Sequence, residues 1–201
     1  MTTDDSGETR LSQRVVLAVT GASGTVYADR LIDVLLQANR HVHLIESDAS
    51  RLVLPRELKR DTLADRPVPP ASLGSITVHP CDDFSAAVAS GSFRTDAMVV
   101  CPCSSNTLGA IAAGSGTNLI HRAADVHLKE RRPLVLVPRE TPLSLIHIEN
   151  MRRATLAGAV ILPAMPAFYH GVESVDDLIA FVVARICDQI GIPHSLITRW
   201  E

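Results

Sequence analysis

The chain has 201 residues, enough for one domain with a full core, and 46% apolar against 20% charged residues is the balance of a soluble globular protein. No apolar run nears the ~20 residues that a membrane-spanning helix needs, and the polar, acidic start lacks the apolar stretch of a signal peptide, so a cytoplasmic protein is expected. A net charge of −3 gives no electrostatic reason to expect nucleic acid or an acidic membrane as partner.

Residues 1–13 read as a frayed tail and 14–201 as a single domain. Residues 14–21, RVVLAVTG, are apolar and β-branched and predict a buried strand. A helix is expected over Thr25–Asn39, where Val26, Leu31, Val34, Leu35 and Ala38 recur at helical spacing. Residues 41–46, HVHLIE, predict a second buried strand, and Ala49–Leu63 a helix that Pro55 breaks or restarts near its middle. Pro67–Pro70 is a proline-rich loop, an insertion rather than a linker. Ser75–His79 predicts a short strand, and the polar turn Ser90–Asp96 feeds a third buried strand at Ala97–Cys101. Helices are expected over Thr107–Ala113 and Leu119–Glu130, then a strand over Leu134–Pro138. A helix over Leu143–Ala157, a strand over Val160–Pro163 and a closing helix over Val175–Gln189 complete the pattern.

Such strand–helix alternation means parallel strands joined by right-handed crossovers. The expected fold is α/β: a doubly wound, mostly parallel sheet, Rossmann-like or flavodoxin-like, with helices on both faces in three α/β/α layers. An aromatic content of only 3% agrees, because Ala, Val, Leu and Ile let helices pack closely on a parallel sheet. Cys81, Cys101, Cys103 and Cys187 do not make a disulfide framework in a chain of this size. Cys101 and Cys103 continue a buried strand without a second Cys/His pair at zinc-like spacing, so reduced core thiols and no metal are expected.

In an open parallel sheet, ligands lie beyond the carboxyl ends of the strands. After the first strand, Thr20-Gly21-Ala22-Ser23-Gly24 enters a helix, and its small residues allow close backbone approach while the helix start favours an anion. A tight turn with a capping serine would look the same, and the spacing is not that of a dinucleotide fingerprint. After the third main strand, Ser104-Ser105-Asn106-Thr107 again enters a helix. One cap needs one such residue, so four in a row favour a ligand. Arg139-Glu140 follows the next strand between two prolines, either a surface pair of little value or an anion ligand beside an acid/base group. Phe168-Tyr169 stands in a polar loop of a chain poor in aromatics, a ligand contact as readily as core packing. Arg122, Lys129, Arg131, Arg132 and Arg185 fall on helices, where such residues usually form a solvated face. His121, His127, His147 and His170 lack metal-like pairing.

Six blocks stand in the order known from one family: residues 21–24 (GASG), 90–104 (SGSFRTDAMVVCPCS), 122–126 (RAADV), 128–142 (LKERRPLVLVPRETP), 147–151 (HIENM) and 162–170 (LPAMPAFYH). Over about residues 14–200 the chain resembles the UbiX-like flavin prenyltransferases, formerly described as decarboxylases. By that resemblance FMN is held by Gly21, Ala22 and Ser23, by Ser47, by Ser104, Ser105, Asn106 and Thr107, and by Arg139. The prenyl phosphate falls to Tyr169 and Arg185, with Lys129 and Arg122 adding positive charge. Ser23, Glu57, Lys129 and Glu140 match the family's reacting-site residues. The implied reaction moves a dimethylallyl group from dimethylallyl phosphate to N5 and C6 of reduced FMN without a metal, the cations stabilising the leaving phosphate. Glu140, Glu57 and the released phosphate are the candidates for proton transfer. The resemblance further implies a homo-oligomer, typically a dodecamer built from trimers, with site residues contributed by neighbours, and a UbiD-type decarboxylase as recipient of prenylated FMN.

The chain departs from the family's pattern at the inner two residues of Ser104-Ser105-Asn106-Thr107, at Phe84, where some relatives carry tryptophan, and in the loop at 67–74. None of these removes a charged site residue. Two other readings remain. A flavin-dependent cysteine-type decarboxylase shares the fold, but its P-x-M-N-x-x-M-W loop is not found here. A non-catalytic FMN carrier would have no use for Glu57, Lys129, Glu140, Tyr169 and Arg185 together.

Overall fold

A computed structural model describes residues 13–67, 72–169 and 171–198. Residues 1–12 of the expected tail, most of the proline-rich loop and His170 lie outside the described residues. The strands are β1 (Arg14–Val19), β2 (His41–Glu46), β3 (Ser75–His79), β4 (Ala97–Cys103), β5 (Leu134–Pro138) and β6 (Val160–Ile161). They form one sheet of order β3-β2-β1-β4-β5-β6 in which every pairing is parallel. The helices are α1 (Thr25–Gln37), α2 (Ser50–Leu58), α3 (Ser105–Ala112), α4 (Leu119–Lys129), α5 (Leu145–Ala157) and α6 (Val175–Gln189).

Alternate residues of a strand face opposite sides of the sheet, and here they feed two separate cores. Val15, Leu17 and Val19 of β1 pack with Leu31 and Leu35 of α1 and with Val183 and Ile186 of α6. Val16 and Ala18 pack instead with Leu108 of α3, Ala123 of α4 and Ala154 of α5. This is the doubly wound, three-layer arrangement that strand–helix alternation predicts. Burying each large side chain stabilises by about 1.5–3 kcal/mol, and Leu17, wholly buried in the central strand, is a position where Ala would cost about 2–5 kcal/mol.

The element ends differ from the periodicity reading where long-range contacts intervene. Pro55 lies inside α2 without splitting it, and the helix stops at Leu58, with Lys59 left-handed at φ 57°. The following segment is drawn onto the body of the protein by buried Glu46, which accepts from Thr62 Oγ1 at 2.7 Å and Leu63 N at 2.8 Å. Arg66 pairs with Asp29 and Asp33 of α1 and pins the same segment. β4 runs on through Pro102 to Cys103, β6 is reduced to two residues, and α5 starts at a reciprocal cap between Ser144 and His147.

From β1 the chain winds outward to β2 and β3, then crosses back to β4 and winds the other way. The strand order therefore reverses between β1 and β4. The crevice beyond their carboxyl ends is where such sheets take ligands.

Candidate functional site at the strand switch point

The loop leaving β1 is built tightly. A Cβ on Gly21 would stand 2.5 Å from Cβ of Ala49 at the start of α2, so only glycine fits there. Gly24 has φ 116°, a left-handed conformation that side chains rarely adopt, and it caps α1. The anion favoured at this helix start is supplied by the protein itself. Glu57, from α2, accepts from Gly24 N at 3.0 Å, Thr25 N at 2.8 Å and Thr25 Oγ1 at 2.7 Å. Burial pushes its carboxyl up, but hydrogen bonds from Ser23, Thr25 and Gly24 outweigh that and hold it below the usual range. Glu57 is thus an ionised tether of the loop. What the loop offers a ligand is Gly21, Ala22 and exposed Ser23. Ser47 lies beside it, its hydroxyl accepting from Ser50 N at 3.2 Å and its N–H donating to Val19 O at 3.0 Å.

The loop leaving β4 is its counterpart. Ser104 caps α3, accepting from Thr107 N at 3.3 Å and donating to Thr107 Oγ1 at 3.1 Å. Only Ser104 is needed as cap, and Ser105 and Asn106 open the first turn, whose N–H groups have no partner within a helix. Thr20, at the end of β1, joins the two loops. Its hydroxyl donates to Pro102 O at 2.7 Å and accepts from Ser104 N at 2.7 Å.

The end of β5 closes the circuit. Arg139 Nε donates to Ser23 O at 3.0 Å, reaching across the mouth of the crevice to the first loop. Glu140 accepts from Ser105 Oγ at 3.0 Å and from Thr141 N at 3.2 Å. The Ser105 bond foremost, then Thr141, Arg139 and His147, holds its carboxyl below the usual range, so Glu140 is available as a base. Arg139 and Glu140 border a cavity of about 270 Å³ whose other walls include Leu143, Met151, Pro163 and Met165. That lies below the usual range of about 300–1,000 Å³ for small-molecule pockets, and its walls set apolar side chains beside Arg139, Glu140 and Thr141.

The remaining expected site residues fall into two further groups. Arg122 and Lys129 stand two turns apart on α4, Arg122 pairing with Asp125 at 2.7 Å and Lys129 with Glu130 at 2.5 Å. Arg185 on α6 pairs with Asp188 at 2.7 Å, one turn beyond Phe181, whose ring meets Tyr169 edge-on at 6.0 Å. α4 packs on one face of the sheet and α6 on the other. Lys129 also lies before β5, whereas Glu140 lies after it, and five strand residues span about 16 Å. One protomer therefore gathers the flavin-loop residues with Glu57, Arg139 and Glu140, and places Lys129 at the opposite end of β5 from Glu140, while Tyr169 and Arg185 lie with α6 on the α1 side of the sheet.

Thr20 stands in the small-residue stretch singled out in the sequence, whereas Thr25 does not, and no periodicity encodes the partners of either. Cys101, Cys103 and Cys187 are buried, and burial pushes their thiols up, Cys103 and Cys187 to about 12. Among the described residues no group of three His, Cys, Asp or Glu is placed to hold a metal ion, and no helix is long and apolar enough to cross a membrane.

Comparison with known proteins sets these features in context. Residues 4–187 match the model of the Flavoprotein family. The flavin prenyltransferase UbiX of Pseudomonas aeruginosa is 50% identical over 94% of this chain and 94% of its own. A crystal structure of AnUbiX (PadA1) with FMN and dimethylallyl pyrophosphate superposes with a TM-score of 0.85 at 42% identity, over 94% of this chain and 97% of that one. A dodecameric FMN-dependent UbiX-like decarboxylase from Escherichia coli O157:H7 superposes at 0.83 with 41% identity, over 94% and 99% of the two chains.

Proposed function

The chain belongs to the UbiX flavin prenyltransferase family, and from that premise we propose that it transfers a dimethylallyl group from dimethylallyl phosphate to N5 and C6 of reduced FMN. The observation that carries the reading is the position of Glu140. Its ionised carboxylate stands between the hydroxyl-rich α3 start and a cavity walled by Leu143, Met151 and Met165, where a short branched hydrocarbon can lie beside a flavin.

The crevice fits FMN. Gly21, Ala22 and Ser23 allow close backbone approach, Ser47, Ser104, Ser105, Asn106 and Thr107 supply short polar groups, and Arg139 supplies a cation across the opening. When bound, reduced FMN supplies the nucleophile. Glu57 holds the Ser23 loop in place, a positioning task that its four contacts to Gly24 and Thr25 favour over proton transfer. Glu140 takes the proton released as the prenyl group is attached. Lys129, Arg122, Arg185 and Tyr169 receive the leaving phosphate, aimed cations and a hydroxyl doing the work that a metal does elsewhere. Because Lys129 lies at the far end of β5 from Glu140, neighbouring copies of a homo-oligomer, a dodecamer by analogy with the E. coli relative, bring the α4 cation to the crevice. Residues 14–201 act as one cytoplasmic flavoprotein domain in this reading, and prenylated FMN passes to a UbiD-type decarboxylase.

The test is anaerobic. Purified protein is incubated with reduced FMN and dimethylallyl phosphate, then denatured, and the released flavin is weighed. A flavin heavier by one prenyl unit, seen only with donor present, is expected. Unmodified FMN with both the monophosphate and the diphosphate donors would overturn the assignment.

A further inference from the structure

The two loops of the crevice come from strands that are neighbours in space but distant in sequence, and their separation must be set by something. The regular β1–β4 ladder carries residue pairs only as far as Ala18 with Val100. Beyond that point β4 shifts register against β5, between Val100 and Cys103. Over this irregular stretch the link between β1 and β4 is Thr20. Its N–H donates to Pro102 O at 3.3 Å, its hydroxyl donates to the same oxygen at 2.7 Å, and that hydroxyl accepts from Ser104 N at 2.7 Å. The hydroxyl of a residue only 1% exposed thereby adds two bonds where the regular ladder has ended. It uses both donor and acceptor capacity, which fixes the hydroxyl's direction as well as its position.

The consequence reaches both loops. Ser104 is the cap of α3, and holding its N–H fixes the residue whose side chain orders the first turn. Thr20 is followed directly by Gly21, so the same group fixes where the first loop departs. We propose that Thr20 is a positioning residue for the flavin: its hydroxyl sets the spacing between the Gly21–Ser23 loop and the Ser104–Thr107 turn. The proposal rests on the reading that flavin binds across these two loops. Thr20 itself is buried beneath them.

Thr20→Val keeps shape and volume while removing donor and acceptor, and Thr20→Ser keeps both. FMN affinity is read by quenching of flavin fluorescence on titration, together with the visible spectrum of bound FMN, thermal midpoint and assembly size. Expected for T20V is a loss of FMN affinity of at least tenfold and a shifted flavin spectrum, with assembly size retained. T20S should bind FMN within about threefold of the parent, since it restores the hydrogen bonds. Unchanged affinity in T20V would overturn the proposal, as would a T20S as weak as T20V, which would assign the position to methyl packing. If T20V does not fold, Thr20→Ala is judged by the same two outcomes. Parent protein that fails to bind FMN would sink the functional reading itself, whereas parent binding with indifferent variants sinks only the role of Thr20.

Discussion

The two ends of the sheet are both rich in polar side chains, yet they use them differently. At the amino end the side chains close the structure on itself. Arg132 donates to Phe93 O at 2.8 Å and Gly91 O at 2.5 Å, and buried His127 bridges Thr95 Oγ1 at 2.9 Å and Ala123 O at 2.8 Å. At the carboxyl end Thr20, Glu57 and Arg139 brace backbone from beneath or beside, leaving Ser23, Ser105, Asn106 and Glu140 to line the opening. Polar density alone does not mark a site. What marks the carboxyl end is that its braced loops converge at the strand switch point, where such sheets take ligands. Lys129 is the residue that tests this division, because it lies at the closing end but belongs, by family likeness, to the reacting one.

The largest expected effect is at the carboxyl end. Glu140→Gln should slow prenylation by about 10²–10⁴ while FMN affinity and thermal midpoint stay put, as read by product mass against time and by flavin titration. A drop in stability with normal turnover would show that Glu140 braces instead of reacting. Lys129→Ala comes next. As an exposed pair with Glu130 it adds little to stability, yet turnover should fall about 10²–10³ if a neighbour's crevice uses its charge. Mixed oligomers of the Lys129→Ala and Glu140→Gln chains should then regain about a quarter of parental activity, since chains combine at random across a shared interface. No recovery would mean that both residues serve a site within one chain.

Smaller effects concern the braces. Glu57→Gln should lower stability by about 1–3 kcal/mol at neutral pH by weakening the acceptor for Gly24 and Thr25. Because folding depresses the Glu57 carboxyl, its ionic contribution is complete above the ordinary glutamate value and is lost as pH falls through the depressed one. Parent and variant should therefore converge in thermal midpoint on acidification. A constant gap would assign the loss to packing.

At the amino end the effect is on the pH dependence of stability and leaves turnover alone, because burial first of all pushes His127 down from 6.5 to about 4. The unfolded chain takes up this proton near the upper value and the folded chain only near the lower. Stability is thus fully present above the upper value and falls by at most ~1.4 kcal/mol per pH unit between them. His127→Gln should flatten that slope without changing turnover. His43, pushed down to about 4 chiefly by burial, contributes a similar slope that remains in the variant.

The layers of this protein are legible in its sequence alone. Hydrophobic repeats are local, so runs such as residues 14–19 and 134–138 announce strands, and their alternation with helical stretches dictates a parallel sheet covered on both faces. Ordered blocks of small and hydroxylated residues at the strand ends likewise pointed to the crevice and, through likeness to a family, to a flavin. Partner choice was not legible. Glu57 meets Gly24 across 33 positions, Thr20 meets Pro102 across 82, and Arg139 meets Ser23 across 116. Such pairs arise only when strand order brings distant segments together, and no local periodicity encodes them. Family likeness names Glu57 among the candidates for proton transfer, and only the fold shows that it also meets the first loop through Gly24 and Thr25. The amino acids determined which elements form and which strand ends carry chemistry. The tertiary structure alone decided which polar groups brace the crevice, which face it, and that the cations of α4 and α6 stand on opposite faces, because those distinctions depend on contacts between segments far apart in the chain.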